Sequence, residues 1–223
     1  MKIIRIIIFL VIVPFQTFAQ NFHISAFFQP NIAYKFDNDY LSKIEKPMFG
    51  YQTGFEITYN INDRLGIASG ISFYKKGYRT KSTLFYRDVY SSEPKELNVS
   101  YNYFFIGMPF IVKYTIGNFK NLRLCVNAGV IGNVFLSETI NREFVYSDYT
   151  DKSTYKSYGN KNTRNINAAG SIGFTADIPI TEEISLSLQP NYESLIWPFV
   201  KNNHFYTRKF WDLGLRVGLS YKL

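Results

Sequence analysis

Few residues of this chain could carry acid–base or nucleophilic chemistry. The histidines are His23 and His204, and the single cysteine is Cys125. Acyl transfer or proteolysis needs a nucleophile and a base that a third group orients. His204 stands beside Asn202 and Asn203, and the chain has no Gly-x-Ser-x-Gly elbow. We therefore interpret His204 as a loop histidine in contact with solvent or lipid, and predict that the protein is not an enzyme.

Metal and cofactor sites are not indicated either. No set of His, Cys and acidic residues has the spacing of metal ligands, and no Gly-rich phosphate loop leads from a strand into a helix. We expect neither a metal nor an organic cofactor. The positive excess, 25 Lys and Arg against 17 Asp and Glu, is spread along the chain, so nucleic acid is not an expected partner.

The C-terminal stretch WDLGLRVGLSYKL has the pattern that organises the rest of the chain. Every second residue from Trp211 to Leu223 is apolar, and the residues between them are polar or glycine. Successive side chains leave a β-strand on opposite sides, so this period of two predicts a strand with one apolar face. The same pattern, bounded by turn residues, predicts eight strands, at about 22–34, 49–60, 65–77, 99–114, 122–136, 166–178, 184–195 and 210–223.

Short and long connections alternate between these strands. NINDR, IGNFKN and PITEE are tight turns rich in Asn, Gly, Asp or Pro, whereas the other links run through about 35–48, 78–98, 137–165 and 196–209. Outer-membrane barrels have short periplasmic turns and long external loops. The expected fold is therefore all-β, an eight-stranded antiparallel up-and-down transmembrane β-barrel with both termini periplasmic.

A soluble lipocalin-like barrel is the rival architecture, because it is also an exported eight-stranded meander. Its outer face must meet water, and solvated surfaces are normally crowded with charged residues. Here the polar face consists mostly of Gly, Ala, Ser, Thr, Asn and Gln, which suits the narrow interior of an eight-stranded barrel. We therefore expect the apolar face to meet lipid and small polar residues to fill the middle of the barrel.

The inward face then carries a polar network of eight residues: Gln52, Glu56, Arg123, Asn127, Gln189, Glu193, Asp212 and Arg216. Buried charges are costly when they are alone. Arg123 and Arg216 are therefore expected to pair with some of Glu56, Glu193 and Asp212 and to plug the barrel. A narrow pore is the alternative.

Aromatic and basic residues near the strand ends predict contacts with lipid. Amphipathic rings form a girdle at the level of the head groups, and the candidates are Phe22, Tyr34, Tyr51, Tyr59, Phe73, Trp197, Trp211 and Tyr221. Candidates for contact with head groups or anionic lipopolysaccharide are Arg79, Lys81, Arg87 and Lys95, although such mixed charge is also typical of a solvated loop. The loops 78–98 and 137–165 are candidate surfaces for an envelope protein partner, and 137–165, rich in Tyr, Ser, Asn and Lys, is the better one.

The chain begins with MKIIRIIIFLVIVPFQTFAQ, in which Lys2 and Arg5 precede an apolar run. The run is too short to span a bilayer, so we predict a signal peptide over residues 1–19 that is removed and a barrel domain over residues 20–223. Loss of these two cations lowers the formal net charge from +8 to +6. We expect a monomer.

Four segments also resemble a known family: FAQ, YNYFFIGMPFIVKY, NAGVIGN and LGLRVGLSYKL. They are similar to the small outer-membrane barrels of Bacteroidetes, the PorT-like or "outer membrane protein beta-barrel domain" group. The resemblance implies an integral location in a Gram-negative outer membrane, and some members of the group resemble parts of a protein-secretion apparatus.

The predicted function is accordingly a structural or partner-binding scaffold with long external loops, and the resemblance adds an accessory role in secretion. Two alternatives stay open. One is a barrel enzyme that acts on lipid or peptide at the outer rim with His204 as its base, and the other is a narrow pore.

Overall fold

The computed structural model describes residues 21–36, 45–83, 93–119, 121–159, 163–199 and 209–223. Its nine strands are β1 (Phe22–Phe36), β2 (Glu45–Asn60), β3 (Leu65–Thr83), β4 (Glu96–Phe119), β5 (Leu122–Val145), β6 (Thr150–Ser157), β7 (Ile166–Pro179), β8 (Ile184–Leu195) and β9 (Lys209–Lys222). The expected signal peptide, Arg87 and His204 lie outside the described residues. Within the described ranges, no helix is long and apolar enough to cross a membrane.

Eight of these strands close into a ring. The order is β4-β3-β2-β1-β9-β8-β7-β5, and β4 pairs with β5 to complete the circle. All neighbours in the ring run antiparallel. Closure gives every strand two hydrogen-bonded neighbours, so the ring leaves no open edge. The predicted eight-stranded antiparallel barrel is confirmed.

The alternation along β9 separates an inner face from an outer one. Asp212 and Arg216 are 0% and 6% exposed, whereas Leu213, Leu215 and Leu219 are 54%, 48% and 55% exposed. Other strands of the ring expose large apolar side chains in the same way. Examples are Phe28, Phe55, Ile71, Phe110, Val130 and Ile172. The apolar face therefore points away from the barrel axis, as expected for a wall that meets lipid.

Tight turns and both ends of the barrel chain meet at one end of the cylinder, which we call the short-turn end. Asn62 closes the β2–β3 turn, because its Oδ1 accepts the backbone N–H of Leu65 at 2.8 Å. Thr181 has the same role before β8, where its Oγ1 accepts the N–H of Ile184 at 2.9 Å. The N–H of Leu223 donates to the carbonyl of Phe22 at 3.0 Å. The opposite end is the long-loop end.

The predicted loop over 137–165 is wrong in part, because most of it continues the sheet. β5 runs to Val145, and β6 pairs with it from Glu138↔Ser157 to Val145↔Thr150. We call residues 138–157 the projecting hairpin. Its sequence lacks the alternation that marks the other strands because it extends beyond the apolar band, where neither face has to meet lipid. For the same reason β3 and β4 reach to Thr83 and Glu96, inside the predicted loop over 78–98.

The expectation that small polar residues fill the middle of the barrel fails in the long-loop half. A cluster of buried rings occupies this half, and we call it the aromatic cluster: Tyr74, Tyr78, Tyr103, Phe105, Phe135, Phe199 and Phe210. Phe199 lies near its centre, with ring centroids 5.2 Å from Tyr103, 5.8 Å from Phe105 and 5.2 Å from Phe135. β4 contributes two of these rings, which explains why its sequence is apolar on both faces.

We expect Phe199→Ala to lower the free energy of unfolding by about 3–5 kcal/mol, because it removes a buried ring from a packed cluster. The control is Tyr155→Ala, which removes a ring that is 60% exposed on the projecting hairpin and should cost no more than about 0.5 kcal/mol. Urea unfolding from lipid vesicles measures both. Equal effects of the two substitutions would contradict a packed interior at this end.

Candidate functional site

The eight residues of the predicted polar network all face the interior of the barrel. Seven of them are buried: Gln52, Glu56, Asn127, Gln189, Glu193, Asp212 and Arg216. Arg123 is half-buried near the short-turn end. The structure thus brings polar groups from four strands, β2, β5, β8 and β9, into one column, and their contacts divide it into two charge clusters.

The first cluster, nearer the short-turn end, has Glu56 at its centre. Its carboxylate accepts a bond from Lys113 Nζ at 2.5 Å and from Arg216 Nη1 at 3.1 Å. Arg216 Nε also donates to Gln29 Oε1 at 3.2 Å. Gly214 makes room for Gln29, because a Cβ there would lie 2.6 Å from Gln29 Nε2. Pairing between Arg216 and an interior acid was expected, whereas the role of Lys113 was not.

The second cluster has Lys76 at its centre. Its Nζ lies 2.5 Å from Asp212 Oδ2 and 3.1 Å from Glu193 Oε2, and all three side chains are 2% exposed or less. Asn191 Nδ2 donates to Glu193 Oε1 at 3.0 Å. The prediction omitted Lys76, although its spacing from Ser72 places both residues on the inward face of β3.

The predicted pairing of Arg123 with Glu56, Glu193 or Asp212 is wrong. Its Nε donates to Thr115 Oγ1 at 3.0 Å, and the described residues offer it no ion-pair partner. The reason is register. Arg123 is the Cα partner of Asp177, which is the partner of Ser187, and Glu193 lies six residues further along β8, roughly 20 Å away at the rise of a strand.

Each cluster joins strands that are not neighbours in the ring. Lys76 on β3 reaches β8 and β9 across the lumen, and Glu56 on β2 binds cations from β4 and β9. The first cluster contains one more cation than acids, and the second contains one more acid than cations. Removal of the central residue would therefore leave two like charges in a buried space, which is costly.

The long-loop end of the interior is filled by the aromatic cluster. Beyond it, Lys35 Nζ pairs with Glu45 Oε1 at 2.7 Å, with both side chains buried. At the short-turn end the interior instead opens into a cavity of about 310 Å³ that is lined by His23, Lys113, Arg123, Cys125, Asp177 and Lys222 among others. His23 is held there by Asn60, whose Nδ2 lies 3.1 Å from His23 Nδ1. Glu56, Lys113 and Arg216 also line the cavity, which therefore ends against the first charge cluster.

Among the residues that the structure describes, no three His, Cys, Asp or Glu side chains form a group that could hold a metal ion.

The predicted girdle residues fall into two groups on the outer wall. Phe22, Tyr59 and Tyr221 lie at the short-turn end, where the Phe22 and Tyr59 centroids are 4.9 Å apart. Toward the long-loop end, Tyr51, Phe73 and Phe104 form a row with centroid distances of 6.4 and 6.1 Å. The other members of this upper group are Tyr34, Trp197 and Trp211.

Arg79, Lys81 and Lys95, the predicted basic contacts that the structure describes, lie just beyond this upper group. Arg79 and Lys81 are exposed, but Lys81 pairs with Glu96 at 2.9 Å, and Lys95 is exposed at the start of β4. Two further cations belong with Arg79. Lys46 is its Cα partner on β2, and Lys75 is four residues away on β3, opposite Tyr51. We call Lys46, Lys75 and Arg79 the basic rim.

The projecting hairpin carries exposed aromatic side chains. Tyr149 and Tyr155 are both 60% exposed, and Tyr149 stacks on Tyr146 at 4.3 Å. Tyr158, directly after the hairpin, is 73% exposed. Lys152 Nζ lies 3.0 Å from Glu143 Oε1, and its hydrogen bond lowers the pKa of that carboxyl. The hairpin is therefore an ordered surface with neutral rings and paired charges.

A closed antiparallel ring with an apolar outer wall and ion pairs in its lumen defines a transmembrane β-barrel. A family model described as "Outer membrane protein beta-barrel domain" matches residues 18–196. The chain belongs to this family, and it is an integral protein of the outer membrane. A search of curated proteins gave no match.

The chain also matches solved structures over most of its length. Neisserial surface protein A (NspA) is 13% identical, with 91% of this chain and 97% of that chain covered and a TM-score of 0.52. OprG from Pseudomonas aeruginosa is 13% identical, with 92% and 97% covered and a TM-score of 0.48. Ail of Yersinia pestis is 11% identical, with 90% and 97% covered and a TM-score of 0.40. At these identities the likeness to NspA concerns the fold alone.

We expect Lys76→Met to lower the free energy of unfolding by about 3–5 kcal/mol, because Glu193 and Asp212 would be left buried without their cation. Lys152→Met is the matched control. It breaks an ion pair whose side chains are 74% and 38% exposed, so the loss should be much smaller than that of Lys76→Met, because solvent screens exposed ion pairs. Urea unfolding from vesicles compares the two, and a Lys76→Met protein as stable as the wild type would refute the proposed role of the cluster.

Proposed function

We propose that this protein is a non-catalytic scaffold of the outer membrane that presents the projecting hairpin to another protein of the envelope. The proposal rests on the length of strands β4 and β5. β4 and β5 contain 24 residues each, whereas a membrane-spanning β-strand needs about 9–11. The additional residues continue as paired sheet beyond the ring, which gives the long-loop end a rigid surface.

The orientation of the barrel supports recognition outside the cell. Short turns face the periplasm in barrels of this kind, and long loops face outward. Both ends of the barrel chain lie at the short-turn end, so the termini are periplasmic and the projecting hairpin is external. The ring closes within one chain, which supports a monomer.

The surface chemistry of the hairpin suits a protein partner. Exposed Tyr side chains supply large contact area at low cost in conformational entropy, and Ser and Asn supply adaptable hydrogen bonds. Tyr155 stands in β6 among Ser153, Thr154 and Ser157, within the sequence TDKSTYKS. This face therefore fits a protein surface better than the apolar tails of lipid.

The interior supports a structural role more than a pore. The aromatic cluster fills the long-loop half. The charge cluster of Lys76 borders these rings, and that of Glu56 lies nearer the short-turn end; both tie opposite walls together. An eight-stranded barrel has room for little more than its own side chains. We infer that the interior stabilises the barrel and conducts no ions.

Within the family, the likeness of YNYFFIGMPFIVKY and LGLRVGLSYKL to PorT-like barrels of Bacteroidetes supports a place in that group. An accessory role in protein secretion follows from this placement. The partner of the projecting hairpin would then be a component of the secretion apparatus.

The basic rim is proposed to bind the phosphates of lipopolysaccharide or of other anionic head groups. Lys46 and Arg79 lie beyond the row of Tyr51, Phe73 and Phe104 on the outer wall, and Lys75 lies level with this row, opposite Tyr51 and Phe104. This is the height where head groups begin. None of the three cations has an acidic partner among the described residues. Cations next to a bilayer surface attract anionic lipid by about 1 kcal/mol each.

We expect a photo-crosslinking amino acid at position 155 to attach the barrel to a protein when intact cells are irradiated. The matched control places the same group at position 55, where Phe55 is 63% exposed on the wall of the ring and should attach to lipid only. Purification of the crosslinked product and mass spectrometry identify the partner. A protein crosslink from position 55 but not from position 155 would be inconsistent with recognition by the hairpin.

Two further measurements address the alternatives. Steady openings of the refolded barrel in a planar bilayer would favour a pore. Altered acylation of envelope lipids in cells that carry His204→Ala would favour a rim enzyme. Either result would overturn the scaffold role.

We expect the triple substitution Lys46→Gln, Lys75→Gln and Arg79→Gln to weaken binding of fluorescent lipopolysaccharide to the detergent-solubilised barrel. The loss should be on the order of 100-fold at low salt, since about 3 kcal/mol of attraction is removed, and it should shrink as salt is added. The control removes the same charge from the projecting hairpin, with Arg142→Gln, Lys152→Gln and Lys156→Gln. Equal losses in both variants would mean that net charge, and not the rim, determines binding.

A further inference from the structure

The cavity at the short-turn end is lined by polar and charged side chains that have no part in the proposed scaffold function. Its volume is about 310 Å³, which is at the lower end of small-molecule sites. The inward face of β3 contributes only Gly66, Ala68 and Gly70 at this height, so no side chain larger than a methyl group from this strand occupies the space. Exposed residues such as Glu182 and Lys222 stand at its mouth, so it opens to water.

Two charged side chains in this wall lack an ion-pair partner. Arg123 on β5 and Asp177 on β7 are Cα partners, and both line the cavity. Arg123 uses its Nε for Thr115 Oγ1, which leaves the two terminal nitrogens of its guanidinium for another acceptor. Asp177 makes no hydrogen bond or salt bridge with the described residues, and Arg123 lies beyond salt-bridge distance from it.

The other deep charges of the cavity are already engaged. Glu56 binds Lys113 and Arg216 at 2.5 and 3.1 Å, so the first charge cluster forms a satisfied floor. Apolar residues also line the cavity: Phe27 lies beside Arg216, and Phe119, Leu122 and Ile184 lie at strand ends near the mouth. Apart from the exposed charges at its mouth, the cavity thus combines one available cation, one available acid and an apolar surface.

We propose that this cavity binds a small zwitterion of the α-amino-acid class, an apolar amino acid or dipeptide, from the short-turn side. The ligand carboxylate accepts two hydrogen bonds from the terminal nitrogens of the Arg123 guanidinium, the bidentate geometry that Arg–carboxylate pairs prefer. The ligand ammonium donates to the Asp177 carboxylate. Its apolar side chains lie against Phe119 and Leu122. The proposal is independent of the projecting hairpin and of the scaffold role.

The pair of opposite charges selects this class. A simple anion would bind Arg123 but meet the negative charge of Asp177, and a simple cation would have the reverse conflict. A zwitterion satisfies both groups at once. The competing arrangement is a direct ion pair between Arg123 and Asp177, which would require both side chains to move and would leave no charge for a ligand.

The test uses the mature barrel in lipid nanodiscs and isothermal titration calorimetry with L-leucyl-L-leucine. N-acetyl-leucyl-leucine lacks the ammonium, and leucyl-leucine amide lacks the carboxylate. We expect the dipeptide to bind and each analogue to bind at least about tenfold more weakly, because a charged group in the wall would lose its partner. These arms use the wild-type protein and do not depend on the folding of a variant.

Variants locate the site. Arg123→Gln and Asp177→Asn should each weaken dipeptide binding by about tenfold or more, whereas Lys81→Gln at the long-loop end should leave it unchanged. Cys125 gives a second readout, because it lines the cavity and is the single cysteine of the chain. The dipeptide should slow its modification by a small methanethiosulfonate reagent. The temperature at which gel mobility shifts verifies that each variant is folded.

Three results would overturn the proposal. The first is absence of binding heat together with absence of protection at Cys125. The second is equal binding of the dipeptide and its two blocked analogues, which would indicate an apolar site. The third is that Arg123→Gln and Asp177→Asn lower the temperature of the mobility shift but leave dipeptide binding intact, which would mean that the two residues pair with each other.

Discussion

Inside a bilayer there is no water to satisfy a backbone N–H or C=O, and this constraint determines the architecture of the barrel. A single open edge would leave a row of such groups in hydrocarbon. β1 and β9 close the ring from His23↔Lys222 to Phe36↔Lys209, so every strand of the wall has two neighbours. Once closure fixes the pleat, each side chain must face either lipid or lumen, and the alternation of apolar and polar residues follows from it.

Two kinds of contact fill the lumen: packed aromatic rings and buried ion pairs. In the long-loop half, stacked rings pack against one another and exclude water. Lys76, next to the Tyr74 ring, and Glu56, nearer the short-turn end, hold acids and cations from opposite walls. Such charges are stable in a narrow space only when nearly every one has a partner. The two that lack one, Arg123 and Asp177, stand where the lumen opens to water.

Much of this fold follows from the sequence, and the failures have definite causes. The pattern from Trp211 to Leu223 predicts a strand with unlike faces, since lipid and lumen demand opposite residues. The same reasoning fails for the projecting hairpin, because a sheet in water on both sides needs no alternation. The aromatic cluster was missed because a period of two assigns apolar residues to lipid and does not reveal a lumen that is apolar too.

The ion pairs show a second limit. The alternation of side chains along each strand places Lys76, Lys113 and Arg123 in the lumen. Which acid each one contacts depends on the register, that is, on how far neighbouring strands are shifted along one another. That shift is set by the whole ring and not by any one strand. The Arg123 prediction failed for this reason, since Glu193 and Asp212 are far along the axis and Glu56 is bound by Lys113 and Arg216 instead.

The hydrogen bond between Ser25 and Ser220 joins residues 195 positions apart. Contacts of such long sequence separation form late and slowly, because closing the large loop between the two residues costs conformational entropy before the contact can stabilise the fold. The seam between the first and last strands can therefore seal only after the entire polypeptide has been delivered. Until then the nascent sheet has two unpaired margins, which makes protection during export a requirement of its topology.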